Sequence, residues 1–264
     1  MPGKSCSLVV KKGCDIKAGF SGIYGESEGG AMLETGTATL DRVELLKLLS
    51  PEQRGALARQ CRWRRFKPDE QIIDYLADSR DVCFVVEGTV RVVNHSLSGR
   101  EISFDDVKAG GFMGELAAID GAPRSASVVA LSETLVAFLA PRPFQELVSG
   151  HPQLALAVMR RLAEVVRRST ERIMDLSTLA ANNRVHAELL RLGRGCLRAD
   201  GTAVISPAPI HADIASRVST TRETVARVLS ELSHDHIVER QNSGLVIHDF
   251  AQLEMMVEDV RGIS

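Results

Sequence analysis

Cysteine, net charge, long apolar runs and catalytic motifs are all scarce in this chain, and each scarcity removes a class of protein. The five cysteines (Cys6, Cys14, Cys61, Cys83, Cys196) are odd in number and scattered, with no C-x-x-C pair. That argues against a disulfide scaffold or a zinc site and suits a reducing cytosol. With 32 basic and 34 acidic side chains the formal charge is −2, so nothing draws the whole chain to nucleic acid or to an anionic membrane. Any such binding has to come from a local patch. No apolar run approaches the ~18 residues that span a bilayer. The start, "MPGKSCSLVVKKGCDIKAG", has basic residues but only a three-residue apolar run, so it does not read as a secretory signal. The expectation is a cytoplasmic protein with no membrane partner. No internal repeat is visible, and no nucleophile–base pair or metal motif points to an enzyme.

What is present falls into distinct stretches. A chain of 264 residues is long enough for one large domain or two ordinary ones. Residues 1–38 are rich in Gly, Ser and small polar residues without a sustained period, and read as a flexible N-terminal extension. "LDRVELLKLLSPEQRGALARQ" has helical spacing, with a break at Ser50-Pro51 that starts a second helix. From Arg65 to about Ala140 the runs are short and β-branched or aromatic ("VCFVVEGTVRVVN", "EISFDDV", "ASVVAL", "TLVAFLA"). Gly88, Gly99, Gly110–Gly111 and Gly121 punctuate them. That pattern predicts a compact antiparallel β-barrel or roll. A short helix after Pro143, a long helix from about Pro152 to Leu179, and a further helix in "NNRVHAELLRLGR" follow. Residues 209–248 then hold two short helices and a hairpin around Ser243-Gly244, and "AQLEMMVEDVRGIS" reads as one more helix.

Within the long helix, Ala155, Met159, Leu162, Val166, Ser169, Ile173, Leu176 and Ala180 alternate at spacings of four and three, a heptad seam. A helix packed on its own barrel would produce such a stripe. The charged flanks ("RR", "RRSTER") leave the stripe narrow, which favours a parallel homodimer. Ser169 is the one hydroxyl on the seam, with Thr170 beside it.

"GELAAIDGAPRSASV" brackets small residues between Glu115 and Arg124, with Ser125 next. Taken alone, this is either an ordinary ion pair pinning a loop or two grips for a ligand that carries an anion and a hydroxyl. Its setting, a loop inside a β-roll followed by a long helix, resembles the Crp/Fnr type of transcription regulator. "FMGELAAIDGAPRSASVVA" is similar to that family's phosphate-binding cassette, F-x-G-E-L followed by R-x-A-x-V. The resemblance implies a cyclic-nucleotide site of Gly114, Glu115, Leu116, Arg124, Ser125 and Ala126. Small residues let backbone N–H groups approach the phosphate, Arg124 and Ser125 donate to it, and Glu115 accepts from the ribose 2′-hydroxyl. It also implies that Ser169 and Thr170 reach the base, one from each subunit. The ligand is then cAMP or cGMP, because Ser125 suits a guanine amino group as well as a phosphate, and no metal is needed. Asp69 stands where the family often has a Gly at the first roll turn, and Ala77-Asp78 replaces a Gly-Asp pair.

"HADIASRVSTTRETVARVLSELSHDHIVER" has the helix-turn-helix form: Ile214, Val218, Val225, Val228 and Leu229 make the apolar face, and Ala215 is small where the helices cross. "STT" makes the turn, with Ser219 where a Gly is common. Thr220 followed three residues later by Glu223 predicts a capping box at the second helix. "RETVAR" resembles the family's recognition helix. Thr221, Arg222, Glu223 and Arg227 are thereby implied to contact double-stranded DNA, a palindromic operator with TGTGA-like half-sites. Between Ala181 and Arg240 eight arginines face seven acids, so phosphate contact depends on how the arginines cluster. "VERQNSGLVIHDF" reads as a wing.

The expected fold class is α+β. It comprises a β-roll cyclic-nucleotide-binding domain at 39–150, a dimerisation helix at 151–180 and a winged helix-turn-helix domain at 181–264. The expected function is cyclic-nucleotide-dependent regulation of transcription by a homodimer, with RNA polymerase a further partner by family resemblance. The alternatives are the same fold answering to cGMP or another effector, or DNA binding without a ligand. An iron–sulfur sensor needs a cysteine cluster that Cys6 and Cys14 do not supply. A haem sensor or metal-dependent hydrolase finds nothing better than His234-Asp235-His236.

Overall fold

The computed structural model describes residues 39–97 and 99–261; the expected flexible extension at 1–38 lies outside them. The described chain opens with a 3₁₀ turn, Glu44–Leu48, and helix α1, Pro51–Ala58. The Ser50-Pro51 break works as a capping box. Ser50 Oγ accepts the Gln53 N–H at 3.3 Å, and Gln53 Oε1 accepts the Ser50 N–H at 2.9 Å.

Eight antiparallel strands follow: β1 (Arg62–Phe66), β2 (Gln71–Ile73), β3 (Val82–Glu87), β4 (Thr89–His95), β5 (Glu101–Lys108), β6 (Phe112–Met113), β7 (Ser127–Ala130) and β8 (Thr134–Leu139). They form two four-stranded sheets, ordered β1-β8-β3-β6 and β2-β7-β4-β5. Between the sheets lies a core of Phe66, Ile73, Val85, Val90, Val107, Val128, Val136 and Phe138, with Cys83 and Met113. The roll expected from the sequence is therefore present, and its first strand begins at Arg62. Asp69, at the turn where the family favours Gly, has φ 65°, which explains that preference.

Helix α2 (Glu115–Asp120) sits between β6 and β7. Helix α3 runs Pro141–Gly150 and starts two residues before the expected point. Both of its prolines fall in the first turn, where no helical N–H bond is lost. Helix α4 spans Pro152–Thr178. Its Leu154 and Val158 are buried, and Leu162 packs beside them, in a second core with the 3₁₀ turn, α1, α3 and the outer face of β1, β3 and β8. Since α4 ends at Thr178, Ala180, the last position of the expected seam, caps the next helix instead.

The C-terminal module contains α5 (Ala181–Arg194), β9 (Ala203–Ile205), α6 (His211–Val218), α7 (Arg222–His234), β10 (Val238–Gln241), β11 (Gly244–Ile247) and α8 (Phe250–Arg261). The expected hairpin is β10–β11, and β9 adds a third strand, order β10-β11-β9. Ile214, Val218, Val225, Val228, Leu232, Leu253 and Val257 bury one core, with Leu229 at its edge. At ~1.5–3 kcal/mol for each large side chain, that burial is what holds three short helices together. The turn between α6 and α7 passes through Ser219 at φ 53°, ψ 51°. The cap of α7 differs from the sequence reading. Thr221 is the N-cap and accepts the Thr224 N–H at 3.2 Å, whereas Thr220 is buried in the turn. Two threonines in succession offer the same hydroxyl, and the helix starts one position later than the pattern predicts.

Candidate ligand cavity and nucleic-acid interface

A cavity of about 290 Å³ opens between the roll and α4. Its volume is close to the lower end of the ~300–1,000 Å³ typical of small-molecule sites. Gly114, Glu115, Leu116, Arg124, Ser125, Ala126 and Ser169 all line it, joining the cassette to one residue of the long helix. Thr170 does not line this cavity; its exposed hydroxyl donates to the Val166 carbonyl at 3.0 Å.

Arg124 is buried and organises the cassette loop. Its Nη1 donates to the Gly114 carbonyl at 3.2 Å, and its Nη2 donates to Ser79 Oγ and to the Asp81 carbonyl, each at 2.9 Å. Its Nε is buried without a hydrogen-bond partner. Buried guanidinium donors are normally satisfied, so this one is an unmet donor within the cassette. Gly114 has φ 82°, and a Cβ there would stand 2.6 Å from Arg124 Nη1 and 2.8 Å from the Asp81 carbonyl. Only glycine permits that approach. Burial pushes the Glu115 carboxyl above its ordinary value, against the pull of its own backbone N–H, Arg161 and Arg124. The cavity thus offers a guanidinium beside an under-solvated carboxylate, a pairing suited to an anion that also carries a hydroxyl.

The structure adds residues that the sequence reading passed over. Asp105 of β5 and Arg161, Val165, Arg168 and Arg172 of α4 line the same cavity. Asp105 accepts from Arg161 at 2.8 Å and from Arg168 at 3.1 Å. Arg172 Nη1 donates to the Ser103 carbonyl at 2.6 Å, its guanidinium lies 5.5 Å from the Phe104 ring, and its Nη2 is buried without a partner. Spacings of seven and four put these arginines on one flank of the helix, which is the signal that was available. Burial also pushes the Cys61 and Cys83 thiols up to about 12, which removes them as nucleophiles. Among the described residues, no group of three or more His, Cys, Asp or Glu is arranged to hold a metal, and no helix is long and apolar enough to cross a membrane.

On the C-terminal module, Arg222, Glu223 and Arg227 are exposed along α7, beside its Thr221 cap. Arg227 donates to Glu231 at 3.0 Å and to Asn182 at 2.9 Å. The backbone N–H at the helix start and the Thr221 hydroxyl hold the Glu223 carboxyl below its ordinary value. This is an exposed helix end with two guanidiniums and one ionised acceptor, flanked by the β10–β11 hairpin.

Residues 63–151 match the family model for the cyclic nucleotide-binding domain, and residues 183–256 match that for the Crp-like helix-turn-helix domain. Both are regulatory modules rather than catalytic ones. The chain is 30% identical over 196 residues to the cyclic AMP receptor protein of Thermus thermophilus, covering 72% of this chain and 86% of that one. Among solved structures, a CooA mutant from Carboxydothermus hydrogenoformans superposes with TM-score 0.72 at 22% identity, over 81% of this chain and 95% of that one. The c-di-GMP responsive global regulator CLP of Xanthomonas campestris superposes with TM-score 0.60 at 17% identity, over 72% and 95% of the two chains. These two share the fold. The chain belongs to the Crp/Fnr family of transcription regulators, which join a cyclic nucleotide-binding domain to a Crp-like helix-turn-helix domain.

Proposed function

We propose that this chain is a homodimeric regulator of transcription whose DNA binding is switched by a cyclic nucleotide, cAMP or cGMP, acting in the cytoplasm with RNA polymerase as a further partner. Residues 39–150 are assigned to the ligand domain, 151–180 to the dimer helix and 181–264 to the DNA-binding domain. One observation carries the reading: Arg124, Glu115 and Ser169 all line a single cavity between the roll and α4. In this reading Arg124 and the Gly114 backbone hold the cyclic phosphate, with Ser125 a further donor. Leu116 and Ala126 line the cavity, and Glu115 accepts from the 2′-hydroxyl. Ser169 meets the base, joined by Thr170 of the second protomer. The seam supports a second copy: Met159, Val166 and Ile173 are 56%, 63% and 62% exposed on one protomer. A ligand touching both helices has the differential contacts that select one arrangement of the dimer. Thr221, Arg222, Glu223 and Arg227 then read an inverted repeat with TGTGA-like half-sites in the major groove.

A second reading rests on Arg161, Arg168 and Arg172, which bring three guanidiniums to the cavity beside Arg124, two of them sharing Asp105. The effector is then a more anionic nucleotide; one fold relative is named as responsive to c-di-GMP. Calorimetric titration of the dimer with cAMP, cGMP and c-di-GMP, followed by binding to the inverted repeat with and without each, separates the readings. Tight binding of a cyclic mononucleotide that also raises DNA affinity is the expected result. Response to c-di-GMP alone transfers the role to the second reading. Response to none, with DNA still bound, overturns the ligand dependence.

A further inference from the structure

Two consecutive residues of β5 connect different parts of the molecule. Asp105 lines the cavity and is held by Arg161 and Arg168 of α4. Asp106 accepts from Arg91 of β4 through Nε at 2.8 Å and Nη2 at 3.0 Å, and it also accepts from Arg217 of α6 in the C-terminal module. Arg91 reaches across too, donating through Nη1 to Asp213 of α6. Behind Arg217 lies Glu188 of α5, at 3.7 Å, which is itself held by Arg191 at 2.6 and 2.7 Å. The two acids are bonded to each other, the Asp106 N–H donating to Asp105 Oδ1 at 3.1 Å.

This is not a surface ion pair. The side chains of Arg91, Arg217 and Glu188 are 9%, 13% and 8% exposed. Burial works against the Arg91 charge, but its bonds to Asp106 and Asp213 more than offset that and hold the guanidinium above its ordinary value. Removing Asp106 leaves the buried Arg91 and Arg217 with one carboxylate each, Asp213 and Glu188, where each now has two. An incoming anion competes with Asp105 for Arg161 and Arg168. Any change in how Asp105 is held is passed by one peptide unit and one hydrogen bond to Asp106, on which α6 rests.

We infer that Asp106, with Arg91, is the seat that positions the DNA-reading module through Asp213 and Arg217, and that Asp105 is its ligand-facing side. The seat itself follows from the geometry, while its response to ligand rests on the function proposed above. The test uses the full chain carrying Asp106→Asn, Asp213→Asn, Arg217→Gln, Arg217→Lys and the double variant Asp106→Asn with Arg217→Gln. Without nucleotide, amide hydrogen exchange of His211–Val218 should become about tenfold or more faster in Asp106→Asn, a substitution in the other module. Asp213→Asn should speed the same amides in the same direction. The double variant should go no further than the larger single, because both break one unit. Arg217→Lys, which keeps the charge, should restore most of the protection. Unchanged exchange in α6, or additive effects in the double variant, overturns the seat. In the same proteins, the factor by which cAMP or cGMP raises affinity for the inverted repeat should fall toward one in Asp106→Asn. Nucleotide affinity without DNA should meanwhile stay within about threefold, below the usual 5- to 150-fold range of coupling. An unchanged factor overturns the coupling role of Asp105–Asp106. A wild-type chain that binds no nucleotide overturns the proposed function instead, and the exchange experiment still decides the seat.

Discussion

Glu115 is a carboxyl that the fold disfavours as a charge and that the proposed ligand needs as one. Burial raises its pKa above the ordinary carboxyl value. Such a group binds protons more readily in the folded chain, so its ionised form subtracts stability as pH rises through the raised value. A ribose hydroxyl donating to it requires that same ionised form, so nucleotide affinity should rise with pH across a window that begins above the ordinary carboxylate range. Glu115→Gln should flatten that dependence, raise the melting temperature of the ligand-free protein, and weaken nucleotide binding by about tenfold. Titrations at several pH values and one melting curve measure all three, and a slope unchanged by the substitution removes Glu115 from the site. Arg124→Lys keeps the charge but not the fork that spans Gly114, Ser79 and Asp81. It should weaken binding on the order of tenfold, measured by the same titration. At this scale the cassette was legible because it is contiguous: Gly114 to Ala126 lie within one turn-helix-loop, and their chemistry survives being read in a line. Asp105, Arg161, Arg168 and Arg172 were not, because β5 and α4 are brought together only by the packing of the roll.

Helix α4 has two apolar sides with different fates. Leu154 and Val158 are sunk in the core of the roll, while Val166 and Ile173 are exposed. Ile173→Asp should therefore leave the protomer folded and shift it toward monomer in sedimentation, since it withdraws ~1.5–3 kcal/mol of burial per chain and sets two carboxylates face to face. A variant that remains a dimer at the same concentration rules this stripe out as the interface. Ser219, in the left-handed region between α6 and α7, carries backbone strain of ~1–2 kcal/mol that glycine would not. Ser219→Gly should raise the stability of the reading module by up to about 1 kcal/mol, read from urea unfolding. The helices and the roll were legible because period and punctuation agree: apolar spacing marks α4 and α5, and glycines mark the hairpins. The cap falls one residue later than the pattern predicts, because Thr220 and Thr221 offer the same hydroxyl and only the backbone shows which of them takes the Thr224 N–H. Strand β9 was missed for a related reason. It has three residues, Ala203–Ile205, and exists because β11 offers an edge to pair with.

The whole molecule places a ligand cavity and a DNA-reading helix on separate modules, so its behaviour as a switch is a matter of linkage. If a nucleotide raises affinity for the operator by some factor, the operator must raise affinity for that nucleotide by the same factor. Couplings of this kind usually run at about 5- to 150-fold. Nucleotide titrations of the free dimer and of the dimer saturated with inverted-repeat DNA should then differ by the factor seen when DNA is titrated with and without nucleotide. Inequality would mean a third state, such as a change of oligomer, in the cycle. The same comparison separates binding from signalling. A cyclic nucleotide held by Arg124 and Glu115 alone makes the same contacts in both arrangements of the dimer, and it shifts nothing however tightly it binds. Only contacts that change between the arrangements transmit, and in the proposed reading those lie at Ser169 on the seam and at Asp105 beside the seat of α6. A ligand that satisfies the cassette but not the helix should therefore behave as a competitor. Whichever of cAMP and cGMP leaves DNA affinity unchanged should displace the active one and lower operator binding to the ligand-free level. If both activate by equal factors, the base is not what the helix senses, and the signal passes through the phosphate and the arginines of α4.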